Sequence, residues 1–202
     1  MMKSRIKNIF LLGTVLLILS SLAGIFLGAV GLSPTQILAD IAQSGLSKSE
    51  RILLYVRLPR VLGTILAGAA LAVSGAIIQA VLGNPIAAPN IIGVNAGAGF
   101  FTVLCLAVFP NSLHYLPAAA FLGALAAVML VYTTAKKTGA SKMTLVLSGV
   151  AVSSLMNAAS DTVITFFPDV LTGFSSFRAG SVSGLNLSNL SPAWIYILAG
   201  IG

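Results

Sequence analysis

From residue 61 to residue 82 the chain runs without a single charged side chain. As a helix rising 1.5 Å per residue, such a run crosses a hydrocarbon core of ~30 Å. In lipid the backbone must satisfy its own hydrogen bonds, which a helix does within one segment. The run is punctuated at both ends. Arg57, Leu58, Pro59 and Arg60 precede it, and proline is tolerated at a helix start because first-turn N–H groups have no internal partner. Gly83, Asn84 and Pro85 close it: glycine or asparagine takes the left-handed cap, and proline stops continuation. Gly68, Ala72, Ala76 and Ala80 recur every four residues and form a small-residue stripe for helix packing. Such a stripe lets a neighbouring helix approach closely in lipid. Gly93 and Gly97 repeat the spacing just after the turn.

Further apolar runs of similar length predict an all-α, polytopic transmembrane helical bundle with about five complete spans and the start of a sixth. Residues 9–30 follow a basic flank of Lys3, Arg5 and Lys7. That run is longer than a secretory signal core and more spans follow, so it reads as a retained first helix, with Gly24 and Gly28 at close-packing spacing. Residues 32–55 are more polar. Ser33 and Pro34 predict a short amphipathic helix over 35–42, and 43–48 read as a loop. The second helix is expected over 60–82, the third over about 91–108, the fourth over 116–135 and the fifth over 143–167. Residues 170–191 form a longer Ser/Gly/Asn-rich segment. Ser191 and Pro192 then signal a sixth helix, with Trp194 and Tyr196 as an interfacial anchor; about ten of the ~20 residues of a span precede residue 202.

Composition excludes the alternatives. Hydrophobic residues make up 57% of the chain and charged residues 7%, too little charge for the polar shell of a soluble core. The short alternating segments of a transmembrane barrel are absent. Cys105 is the one cysteine, so no intrachain disulfide forms, and no metal-ligand spacing is present. His114, the one histidine, reads as an interfacial loop residue. The net charge of +7 reads as membrane topology signals rather than nucleic-acid binding. No nucleophile–base pair, paired carboxylates or phosphate-binding loop appears, so the chain is not expected to be an enzyme, and no cofactor is expected. With a cytoplasmic N-terminus, the inner side carries Lys3, Arg5, Lys7, Lys136, Lys137 and Lys142. The outer side carries Lys48, Arg51, Arg57, Arg60 and Arg178. Six basic residues against five favour this orientation by a narrow margin, helped by the tight inner clusters.

Four blocks carry a resemblance: RLPR at 57–60, GAALAVSGAIIQ at 68–79, NPIAAPNIIGVNAGAG at 84–99, and more loosely LVLSGVAVSSL at 145–155. Their order and spacing resemble the permease subunits of ABC importers for iron–siderophore complexes, haem and cobalamin, the FecCD-type family. The resemblance covers nearly the whole chain and about the first half of the family's ten-helix subunit. It implies a multi-pass protein of the cytoplasmic membrane with its N-terminus in the cytoplasm, residues 1–202 forming one transmembrane permease domain. It implies uptake of a ferric siderophore, haem or cobalamin by ATP-driven alternating access. The implied partners are a second permease subunit, a cytoplasmic pair of ABC ATPases and an external solute-binding protein. The family's main ATPase contact follows the sixth helix and lies past residue 202, so coupling by the usual route is not expected of these residues alone.

Three places could carry function. Arg57 and Arg60 fall on the outer side, three apart at a helix start, where they share a face. On the residues alone they could snorkel to lipid phosphates; the resemblance implies that they dock the binding protein. Ser153, Asn157 and Asp161, with Ser160 beside them, share a face of the fifth helix. Polar groups avoid lipid, so that face is either an interhelical hydrogen-bond seam or, as the resemblance implies, the lining of the translocation path. The turn at 83–89 reads as structural, and Ala88 stands where family members commonly carry an acid. Two other readings stay open: a permease for bare metal ions, for which only Asp161 is available in a span, and an inactive truncated remnant or structural membrane protein.

Overall fold

The computed structural model describes residues 2–28, 48–110, 113–139 and 141–180, together with residues 182, 184, 185, 187, 190, 194 and 195. Among these residues the chain is helical, with no strand: α1 (Met2–Phe26), α2 (Lys48–Leu82), α3 (Val94–Val108), α4 (Leu116–Lys137), α5 (Lys142–Phe166) and α6 (Val170–Ala179). Short 3-10 turns at Pro89–Ile92 and Leu113–Tyr115 precede α3 and α4. Four of the helices (α1, α2, α4 and α5) are long and apolar enough to cross a membrane. At 15 residues α3 is shorter, about 22 Å at 1.5 Å per residue. The all-α membrane bundle expected from the apolar runs is the architecture found. The amphipathic helix expected over 35–42 lies outside the described residues, as does most of the sixth helix; Trp194 and Ile195 are helical.

The described residues form two compact units. One is built on residues up to 68 with those from 182 onward, the other on residues 69–181. In the first, α1 exposes apolar side chains around its whole circumference, Ile9, Phe10, Leu11 and Leu12 among them. A helix apolar all round belongs to a protein core or to a membrane span. It touches α2 where Gly24 faces Val61.

The start of α2 differs from the sequence expectation. The helix is already formed at Lys48, ahead of the expected Arg60, and Pro59 lies inside it, fully buried. A proline within a helix lacks the N–H for its own turn, and its ring collides with the carbonyl four residues back. The chain accommodates it by widening the preceding turn into a π-helical one over Leu53–Arg57, where the Leu58 N–H reaches the carbonyl of Leu53. The helix therefore passes Pro59 without a break. Gly83 ends it with φ of 60°, the left-handed cap expected there.

In the second unit α3 is the centre, with α4, α5 and α6 packed around it. Glycines set these distances. Gly97 of α3 and Gly123 of α4 face one another so closely that a Cβ on either would collide with the other's carbonyl oxygen. Gly149 of α5 lies against the carbonyl of Ile91 in the turn before α3. Ile92, Ala127, Val131, Val152 and Met156 fill the space between these contacts. The third helix was expected from residue 91, but regular α-helix begins at Val94 because Gly93 takes φ of 77°. Ser141 caps α5, its hydroxyl accepting the Thr144 N–H at 3.0 Å.

Helix α6 falls in the segment read only as Ser/Gly/Asn-rich. Those residues signal a loop when counted, but Val170, Gly173 and Phe174 come onto one face and pack on Val103, Leu106 and Gly99 of α3. Burial of that face outweighs the weak helix propensities of its serines, threonine and glycine. Gly180, φ 65°, closes the helix.

Candidate functional site

The first candidate is the start of α2. Arg57 is the last residue of the π-helical turn, and it is 8% exposed. Its Nη1 donates a hydrogen bond of 2.6 Å to the carbonyl of Ile25, in the last turn of α1. Its Nη2 lies over Gly28, where an added Cβ would stand 2.9 Å away. Arg60, one turn on, is half-buried, and its own carbonyl accepts the Thr64 hydroxyl at 2.7 Å. The two arginines expected side by side at an outer surface thus sit in unlike surroundings. No residue pattern signals the bond to Ile25, since the partners are 32 residues apart and the acceptor is backbone.

The second candidate is α5. Its buried face is Ser148, Gly149, Val152, Met156 and Ser160. Ser153 stands at the edge of that face, its hydroxyl bonded to the Gly149 carbonyl at 2.7 Å and its Oγ against Gly93. Asn157 and Asp161 are exposed. Each four-residue step advances about 40° around a helix, so the stripe from Ser153 to Asp161 slants out of the packed face onto the open one. Ser160, expected beside the stripe, is buried and bonds back to the Met156 carbonyl at 2.9 Å.

The small-residue stripe of α2 is also open: Gly68, Ala72, Ala76 and Ala80 are all exposed, and nothing among the described residues lies within contact of a Cβ at Gly68. Gly93 and Gly97, by contrast, are buried at close helix contacts. The turn after α2 is ordered by Asn84, whose side-chain oxygen accepts the Ile86 N–H at 3.0 Å and whose carbonyl accepts the Ala87 N–H at 3.1 Å. Beside it runs a groove of about 570 Å³, mostly apolar, with Ser74, Asn90 and Asn95 as its polar groups. Glycine and proline mark the turn in the sequence but nothing there marks the groove, because Ser74 and Asn95 come together only when the turn folds back. At the same end, Lys142 at the start of α5 lays its ammonium against Gly83 at the C-terminus of α2, where a cation is favoured by the helix dipole. No group of three or more His, Cys, Asp or Glu residues suited to a metal ion occurs among the described residues.

The model of the FecCD transport family matches residues 16–202. The chain is 37% identical over 194 residues to the achromobactin transport system permease protein CbrC of Dickeya dadantii, covering 93% of this chain and 55% of that one. It is 34% identical to the Fe(3+)-citrate import system permease protein YfmE of Bacillus subtilis, covering 97% and 59%. It is 36% identical to the ferric enterobactin transport system permease protein FepD of Escherichia coli, covering 91% and 56%. Among solved structures, a metal-chelate type ABC transporter in an inward-facing conformation superposes with a TM-score of 0.79 at 26% identity, over 96% of this chain and 59% of that one. The chain thus spans a little over half the length of these relatives.

Proposed function

The chain belongs to the FecCD transport family of membrane permeases, and from that premise we propose that it forms part of the transmembrane subunit of an ABC importer for chelated iron. The observation that carries the reading is the family match over residues 16–202, joined to four helices long and apolar enough to span a membrane. The solute class is iron(III) held in an organic chelate, as the names of the relatives for achromobactin, citrate and enterobactin suggest; haem and cobalamin remain within the class implied by the sequence blocks. Residues 1–202 act as one transmembrane domain. A second permease subunit completes the path, a pair of cytoplasmic ATPases supplies the energy, and an external solute-binding protein delivers the chelate. The N-terminus is cytoplasmic, which puts the start of α2 outside. Arg57 and Arg60 then belong to the docking end, and charge at such an end sets orientation and association rate more than raw affinity.

In this reading the open side of α5 lines the path. An acid and an amide on an exposed helix face are costly in lipid and at ease against water. The stripe of Gly68, Ala72, Ala76 and Ala80 receives another helix of the assembled transporter. Thiol labelling tests path and orientation together. With Cys105 replaced by alanine, cysteines at Asn157 and Asp161 are expected to react with a water-soluble, membrane-impermeant reagent, at rates that change when ATP is added to the assembled importer. Cysteine at Ser153, on the edge of the packed face, is expected to react more slowly. A cysteine at Lys7 is expected to stay unlabelled from outside intact cells, and one at Lys48 to label. Silence at all three α5 positions in every nucleotide state would remove the path assignment, and labelling at position 7 from outside would invert the topology.

A further inference from the structure

The two arginines of the Arg-Leu-Pro-Arg block sit three residues apart, yet the chain uses them differently. The last carbonyls of a helix have no N–H partner within it. Helix α1 ends at Phe26, so Ile25 carries one of them, and Arg57 Nη1 reaches it at 2.6 Å. A cation at that position also faces the negative end of the helix dipole, and a hydrogen bond from a charged donor is among the stronger kinds. The guanidinium passes over Gly28, where there is no side chain to displace it. The residue as a whole is 8% exposed. The π-helical turn that precedes Pro59 ends at Arg57 itself, so the widened turn sets where this side chain leaves the helix.

We infer that Arg57 is an intramolecular cap on the C-terminus of α1. This role does not depend on the proposed docking end. Arg57 thus fastens the end of α1 to the start of α2.

Hydrogen exchange read by mass spectrometry, on the full chain in lipid nanodiscs, tests the cap without any binding protein. Arg57→Gln is expected to speed exchange in the peptide covering residues 23–28 by about tenfold, the change that follows loss of a charged hydrogen bond. Arg57→Lys is expected to restore part of the protection. Gly28→Ala leaves every charge in place but crowds the guanidinium, and it is expected to shift the same peptide in the same direction. Arg60→Glu is expected to leave that peptide at its wild-type rate. Wild-type exchange in both Arg57→Gln and Gly28→Ala overturns the cap. So does an equal rise across α1, α4 and α5, which would mark general loosening. If Arg60→Glu docks normally while Arg57→Gln still frays α1, the docking reading fails and the cap stands.

Discussion

Gly149→Ala is expected to destabilise the helical bundle by about 3 kcal/mol or more, at the upper end of what overpacking costs. The new Cβ would meet the carbonyl of Ile91 at well under contact distance, with the Ile91 carbonyl carbon and Ile92 Cα close behind at 3.0 and 3.1 Å. All three are backbone atoms, so no side chain can swing aside. The turn at Pro89–Ile92 is itself held from both sides, by the left-handed Gly93 and by the buried side chain of Ile92. Relief therefore requires α5 to withdraw from the start of α3, which opens the contacts among Ile92, Val152 and Met156. Denaturant titration in detergent, followed by a probe of α5, measures the loss. Leu147→Ala, on the exposed side of the same helix, serves as control and is expected to change stability by less than about 0.5 kcal/mol. Equal midpoints for the two variants would mean that the α5–α3 approach is not as close as described.

Arg60→Glu is expected to slow association of the external binding protein with the assembled importer by roughly tenfold at low salt, and to reverse the sign of the salt dependence. Arg60 is the less buried of the two arginines at this end of α2. In the proposed docking arrangement its charge is among those that would meet an acidic partner. Replacing a cation by an anion turns attraction into repulsion, which acts first on the encounter rate. Added salt screens either interaction, so it slows binding to the native chain and hastens binding to the variant. Association kinetics at two ionic strengths decide it. Unchanged rates at both would place docking elsewhere on the permease.

The spanning helices were legible because lipid is a uniform solvent: a long run without charge has one stable form, and the ends of α4 and α5 fall within two residues of those expected. The features that were missed depend on residues far apart in the chain. Helix α6 owes its stability to Val103 and Leu106 of another helix, and its own serines and glycine read as a loop. The π-helical turn was hidden because proline after a polar stretch ordinarily marks a helix start, and only the continuous helix from Lys48 shows that this one does not. Arg57 looked like a surface charge because its acceptor is a main-chain carbonyl, which has no letter in a sequence. The stripe Gly68, Ala72, Ala76 and Ala80 reads as a packing face, but among the described residues it is open. The candidate path divided for a geometric reason. Spacing by four keeps neighbours together but rotates slowly, so Ser153 ended at a packed edge and Asp161 in the open.

Uptake of radioiron into proteoliposomes tests transport of chelated iron most directly. The permease, assembled with its partner subunits and binding protein, is given iron(III) as citrate, as a catecholate siderophore or as a hydroxamate siderophore, with ATP inside or absent. Accumulation of one of these chelates that requires both ATP and the binding protein is the expected result. Accumulation that is independent of ATP, or that is as fast for the unchelated metal ion as for every chelate, contradicts it.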